Sequence, residues 1–292
     1  MRFSYAESMT DPSFYAPLAQ AAETAGFDTM VVPESICYPR ESDSVYPYNP
    51  DGSREFLEDK PFLDPFALSS ALGMVTSSLR FVTFVLKLPV RHPLLVAKQA
   101  TSVSVLTGGR FALGVGTSPW EEDYLVTGTP SARKGTRMDE CMQIIRGVSS
   151  GDWFSFAGEM YDVPELKICP GAPVPLLVGG HADVALRRAV TLGDGWMHGG
   201  GDPADLPRLL DRLSALRREA GRADDDGFEI HVISMDAYTV DGVRRLEDLG
   251  VTDVIVGFRW PYDVGPDTEP LSAKTDALQR YADDVIAKVK PL

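Results

Sequence analysis

Eight short apolar runs, each followed by a stretch of helical period, constrain this chain more than any other feature. The runs cover residues 3–6, 29–33, 81–86, 111–115, 175–178, 195–198, 228–233 and 254–257. Each is too short for a buried helix and ends in Gly, Pro or a polar turn, which reads as a strand buried on both faces. Between the runs, apolar residues recur three and four apart. Examples are Leu18, Ala21, Ala22 and Ala25 before Gly26, and Val96, Ala100, Val103 and Leu106 before Gly108-Gly109. Glycine just past the last periodic residue is a common helix stop. Eight strand–helix units in 292 residues predict an α/β fold of one domain, a (β/α)8 barrel, which typically takes about 250 residues. The rival is an open doubly wound sheet, which carries a glycine fingerprint at its first strand–helix turn. Residues 5–11 contain no glycine, so the barrel is preferred.

Two stretches interrupt the alternation. Residues 36–63 form a long polar segment with Tyr38, Tyr46, Tyr48 and Phe56. Long loops inside compact domains are commonly lids or binding loops, and the aromatic residues argue against disorder, so a lid is expected here. After the fourth strand, residues 153–168 read as a hairpin-like insertion around Gly158.

The formal net charge of −14 argues against nucleic acid or anionic membrane as a partner, since both require basic patches. No apolar run approaches the ~18 residues of a membrane helix, and Met1-Arg2-Phe3-Ser4 shows no secretion leader. Cys37, Cys141 and Cys169 are odd in number and widely spaced, as expected of free thiols in a cytoplasmic protein. No two histidines stand at metal-ligand spacing, so no metal site is expected. There is also no Gly-x-Ser-x-Gly elbow and no Walker-type loop.

In a barrel the chemistry lies at the carboxyl ends of the strands. Those ends are Glu34-Ser35, Thr83-Phe84, Gly116-Thr117-Ser118, Gly179-Gly180-His181 and His198-Gly199-Gly200. The last two are glycine-rich turns before successive helices. Glycine lets backbone N–H groups approach a phosphate, and a helix N-terminus adds a favourable dipole. Tight turns alone also explain such glycines. Trp196 reads as a packing residue, His198 as a ligand contact, and His92 and His231 as structural.

The stretch Leu113-Gly114-Val115-Gly116-Thr117-Ser118-Pro119-Trp120-Glu121-Glu122-Asp123-Tyr124 is followed by Gly128 and by Arg137-Met138-Asp139-Glu140. Further motifs are Arg91-His92-Pro93, Thr107-Gly108-Gly109-Arg110-Phe111, Val178-Gly179-Gly180 and Gly193-Asp194-Gly195-Trp196. Together they resemble the luciferase-like monooxygenase superfamily, and within it the branch using the deazaflavin coenzyme F-420. The resemblance spans nearly the whole chain. It implies that the cofactor ring lies across the strand ends. Thr83 and Phe84 would back the ring at a bulge that often holds a non-proline cis peptide, and Gly116, Thr117 and Ser118 would contact its other edge. Gly179, Gly180, His181, His198, Gly199 and Gly200 would face its phosphate.

One departure affects the chemistry. Many deazaflavin-dependent members carry Asp-His at the end of the second strand, where this chain has Glu34-Ser35. Glu34 is then the candidate proton donor or acceptor, with Ser35 and His198 as lesser polar partners. The expected function is hydride transfer between coenzyme F-420 and a small organic substrate. The alternatives are an FMN-dependent monooxygenase served by a separate flavin reductase, and a cofactor-binding barrel without turnover. The resemblance further implies a homodimer, for which the helices after the second and third strands carry enough apolar surface.

Overall fold

The eight apolar runs form the strands of a closed parallel barrel in a computed structural model that describes residues 1–46, 52–259 and 264–290. In chain order the strands are β1 (Arg2–Ala6), β2 (Thr29–Val32), β3 (Arg80–Thr83), β4 (Leu86–Lys87), β5 (Phe111–Gly116), β6 (Phe154–Ala157), β7 (Asp162–Leu166), β8 (Leu176–Gly179), β9 (Gly195–Met197), β10 (Glu229–Ile233) and β11 (Asp253–Val256). β1 pairs with β2 and β11, and the β3–β5 pairing closes the ring. β6 and β7 are the antiparallel hairpin expected after the fourth barrel strand.

The helices on the outside are α1 (Tyr15–Thr24), α2 (Pro65–Gly73), α3 (Pro93–Leu106), α4 (Glu121–Val126), α5 (Lys134–Ser149), α6 (Asp183–Leu192), α7 (Asp205–Glu219), α8 (Val240–Asp248), α9 (Leu271–Tyr281) and α10 (Ala287–Val289). Their starts follow local chemistry. Asp64 accepts from the N–H groups of Phe66 and Ala67 ahead of Pro65, and His92 Nδ1 accepts from Leu94 N–H ahead of Pro93. Each satisfies N–H groups that have no partner inside the helix. His92 is thus a helix cap, in keeping with its structural reading. Among the described residues no helix is long and apolar enough to cross a membrane.

Strand periodicity sorts the core into two shells. Val31, Val82, Ala112, Leu177, Met197 and Ile255 fill the barrel, while alternate residues such as Met30, Val32, Phe81 and Phe111 pack outward against the helices. The amino end of the barrel is closed by charge. Arg80 grips Glu229 with two bonds of 2.7 and 2.9 Å, Arg2 grips Asp253 at 2.9 and 2.6 Å, and His231 Nε2 lies 2.8 Å from Glu229. The acids and His231 come within 4.8 Å of one another, a spacing that resembles a metal site. Both carboxylates are already held by guanidinium forks, so the cluster is an ion-pair plug.

The expectation of one continuous third strand over residues 81–86 is corrected. The strand breaks into β3 and β4, and its register against β5 slips by one residue, from Val82 opposite Ala112 to Leu86 opposite Val115. One extra residue on one strand is a β-bulge, a device that re-aims a side chain next to a site. Here the re-aimed residue is Val85.

Candidate active site

The bulge places Val85 against the two strands across the mouth. A Cβ on Gly116 would lie 2.8 Å from Val85 Cγ2, and one on Gly179 would lie 3.1 Å from Val85 Cγ1. At Gly116 the absence of a Cβ makes room for Val85, and at Gly179 a Cβ would need Val85 to give by a few tenths of an ångström. Thr83, fully buried, donates from Oγ1 to Gly114 O at 2.7 Å and fixes the strand below the bulge. The Phe84–Val85 peptide is cis, one bond beyond Thr83-Phe84. The residue brought beside Gly116 and Gly179 is thus Val85, while Thr83, one of the two expected ring-backing residues, lies with its carbonyl against Gly114.

Thr117 and Ser118 turn away from β5 into α4. Ser118 holds a left-handed backbone, φ 60°, which is uncommon for a residue with a Cβ and is often found at functional sites. Its hydroxyl donates to Asp123 Oδ2 at 2.5 Å and accepts from Trp120 N–H at 3.0 Å. Tyr124 donates to Thr117 O. The turn is therefore locked by its own following helix.

On the opposite rim, Gly180 and Gly200 adopt φ of 121° and 89°, conformations that L side chains avoid. His181 and His198 stack with ring centroids 4.6 Å apart at 12°. His198 Nδ1 lies 3.1 Å from Ile233 O, and Gly199 N–H donates to His181 Nε2 at 3.2 Å. A carbonyl accepts, so His198 carries its proton on Nδ1 and leaves Nε2 as a bare acceptor. That atom is buried and has no hydrogen-bond partner. Burial, then the neighbouring His181, push the His198 pKa down to about 4. Burial also lowers that of His181. At pH 7 the His198 imidazole is therefore neutral, and burial moves His181 in the same direction. Trp196, expected as packing, is fully buried and donates from Nε1 to Gly180 O at 2.8 Å.

Glu34 and Ser35 follow β2. One Glu34 oxygen accepts Lys87 N–H at 2.7 Å and the other accepts Arg91. Ser35 Oγ lies in the loop, 3.4 Å from Cys37 O. Lys87 and Asp123 are both more than nine-tenths buried and pair at 2.9 Å. Sequence reading missed this pair. The available signal was a single lysine inside the apolar run from Phe81 to Val90.

The residues of five strand ends thus converge on one mouth, a frame that the comparisons with known proteins identify. The model of the luciferase-like monooxygenases matches residues 4–241. The chain belongs to that family. It is an oxidoreductase of the luciferase-like type. An uncharacterized protein of Mycobacterium tuberculosis is 62% identical over 99% of this chain and 100% of its own length. An F-420-dependent hydroxymycolic acid dehydrogenase of the same species is 31% identical over 70% of this chain and 53% of its own length. Among solved structures, an F-420-dependent secondary alcohol dehydrogenase with a bound F-420–acetone adduct superposes with a TM-score of 0.75. It is 16% identical and covers 99% of both chains. The oxygenating constituent of a Pseudomonas putida 3,6-diketocamphane monooxygenase, bound to FMN, gives a TM-score of 0.60. It is 17% identical over 84% of this chain and 71% of that one.

Proposed function

We propose that this protein transfers a hydride between coenzyme F-420 and a small organic substrate. The observation that carries the reading is the buried, partnerless Nε2 of His198 at the glycine turns, on the same end of the barrel as the bulge where Val85 packs on Gly116 and Gly179. Thr83, Phe84, Gly116, Thr117 and Ser118 would hold the ring. Gly179, Gly180, His181, His198, Gly199 and Gly200 would hold its phosphate side. The orphan Nε2 of His198 fits a ligand there, because a buried acceptor without a partner is costly until a donor reaches it. The bound cofactor supplies the hydride chemistry, and the chain supplies orientation and exclusion of water.

Glu34 is assigned an anchoring role in this reading. Both of its oxygens already accept, from Lys87 N–H and from Arg91, so it holds the strand-3 bulge in register. The 36–63 loop is proposed as the lid. Tyr46 stacks on Trp120 at 5.7 Å and 15°, Ser44 donates to Glu122 at 2.8 Å, and Phe56 packs edge-on to Tyr46. Tyr48 lies outside the described residues. These contacts tie the loop after β2 to the first turn of α4, across the mouth.

Fluorescence titration of the apo-protein with F-420 and, in parallel, with FMN tests the cofactor. Micromolar or tighter binding of F-420 in preference to FMN is expected. The reverse preference would move the case to the FMN-dependent monooxygenase, and binding of neither would remove the cofactor reading. In the same titration Trp120→Ala is expected to raise the cofactor off-rate several-fold at nearly unchanged thermal stability. An unchanged off-rate would remove the lid.

We also propose a homodimer through the face of α3 and the end of α2, where Leu95, Val105 and Leu106 on α3, and Met74 and Val75 just past α2, are exposed. Clustered exposed apolar side chains commonly mark an association surface. Sedimentation equilibrium is expected to give about 64 kDa, twice the chain mass of 31.8 kDa. A mass of 31.8 kDa at micromolar concentration would refute it.

A further inference from the structure

Lys87 is an ammonium where the strand pattern asks for an apolar residue. It lies in β4 opposite Gly116 and is 7% exposed. Its Nζ reaches Asp123 Oδ2 at 2.9 Å, and the same oxygen receives the Ser118 hydroxyl at 2.5 Å. Lys87 is thus one carboxylate away from the turn proposed to contact the ring. An ammonium has three N–H donors. Among the described residues Asp123 is its one acidic partner, and donors remain for a ligand.

Burying a charge is expensive, and a single carboxylate is the least compensation that makes it tolerable. The surrounding charges do not add a second partner. Glu34 is occupied by Arg91 and by the Lys87 backbone N–H, and Glu122 is held by Ser44. The Cys37 thiol, whose electrostatic neighbours are Asp123, Lys87 and Glu122, is pushed upward, chiefly by burial. A cation kept at this cost beside the mouth, with donors to spare, suits a ligand on which negative charge resides.

We propose that Lys87 is the counter-charge of the redox ring, held in place by Asp123 and stabilising the ring's ionised form. This rests on the cofactor reading above. A hydride brings two electrons and one proton, so a neutral oxidised ring that receives it becomes anionic unless a second proton follows. An ammonium in a poorly hydrated mouth favours that anion, and it favours the ring's ionised state during any acid–base titration.

The test needs no substrate. The protein is saturated with F-420, or with FMN if that is what binds, and the bound ring is titrated with acid and base. Oxidised and anaerobically reduced forms are both followed by absorbance. Lys87→Met is expected to raise the apparent pKa of the bound ring by about one unit or more. Asp123→Asn, which leaves the ammonium unpaired, is expected to lower it, and Lys87→Arg to stay near wild type. A role confined to packing would not give shifts of opposite sign for the two partners. Should Lys87→Met fail to fold with Asp123 unpaired, the double variant Lys87→Met/Asp123→Asn carries neither charge of the pair and is expected to show an upward shift smaller than that of Lys87→Met. An unmoved pKa in the Met variants, or shifts of one sign in Met and Asn, would overturn the proposal while leaving the cofactor reading intact. Failure of the wild type to bind either cofactor would instead sink the cofactor reading and this inference with it.

Discussion

Gly114→Ala is expected to abolish soluble expression or to lower the melting temperature by roughly 10 °C. A Cβ at this position would fall inside van der Waals contact of Thr83 O and 2.6 Å from Met197 Sδ. Met197 belongs to the cluster filling the barrel, and Thr83 O is backbone at the strand-3 bulge. Neither can retreat cheaply, and overpacking a full core commonly costs about 1–3 kcal/mol, more where backbone must move. In a chain of this size each kcal/mol corresponds to about 2–4 °C. Thermal unfolding followed by circular dichroism measures the effect. Gly108→Ala is a useful contrast. Nothing lies within 4 Å of a Cβ there, but φ is 65°, so a modest loss of about 1 kcal/mol from left-handed strain is expected. Equal stability of the two variants would mean that the barrel relaxes around residue 114.

Glu229→Ala is expected to destabilise the protein by about 3–5 kcal/mol, because it strands charges at the closed end of the barrel. Arg80 loses its partner, His231 keeps only Asp253 at 3.5 Å, and Arg2 loses a contact of 3.1 Å. The same carboxylate sets a pH dependence. Burial by itself raises its pKa, but the bonds from His231 and Arg80 outweigh burial and hold it well below the usual carboxylate range. A depressed folded-state pKa contributes stability that is present above the unfolded value of about 4.3 and is lost as pH falls below it. Wild-type melting temperature is therefore expected to drop steeply below about pH 4.5. Glu229→Gln, less stable at neutral pH, should show a shallower acid limb. Parallel acid limbs for the two proteins would refute this account of the plug.

How much of this was legible beforehand differs between fold and site. The period-2 and period-3.6 patterns placed all eight barrel strands, the hairpin and most helices, because burial on both faces leaves an uninterrupted apolar run. Where that pattern was misleading, at residues 81–86, an apolar run concealed a bulge. Hydropathy does not register one extra residue inside such a run, whereas the family resemblance implies a bulge at Thr83 and Phe84. The strand ends were equally legible as a set, since topology alone puts them at one end of the barrel. Their partners were not. Glu34 read as a proton carrier because it stands where many deazaflavin-dependent relatives carry Asp-His; that Arg91, 57 residues away, is its ion-pair partner was not legible from its neighbours in sequence.

Motif resemblance pointed to the family; what the residues by themselves determined is the barrel, the set of its strand ends and the glycine turns that follow two of them. Each rests on local spacing, which the chain cannot hide. What only the tertiary structure decided is which charges meet. The Lys87–Asp123 pair and the plug built from Arg2, Arg80, Glu229, His231 and Asp253 join residues from different strands and turns. Strand alternation says that a side chain points inward, but barrel closure and register say what it finds there. In a poorly hydrated interior the identity of that neighbour fixes whether a charge anchors, titrates or awaits a ligand.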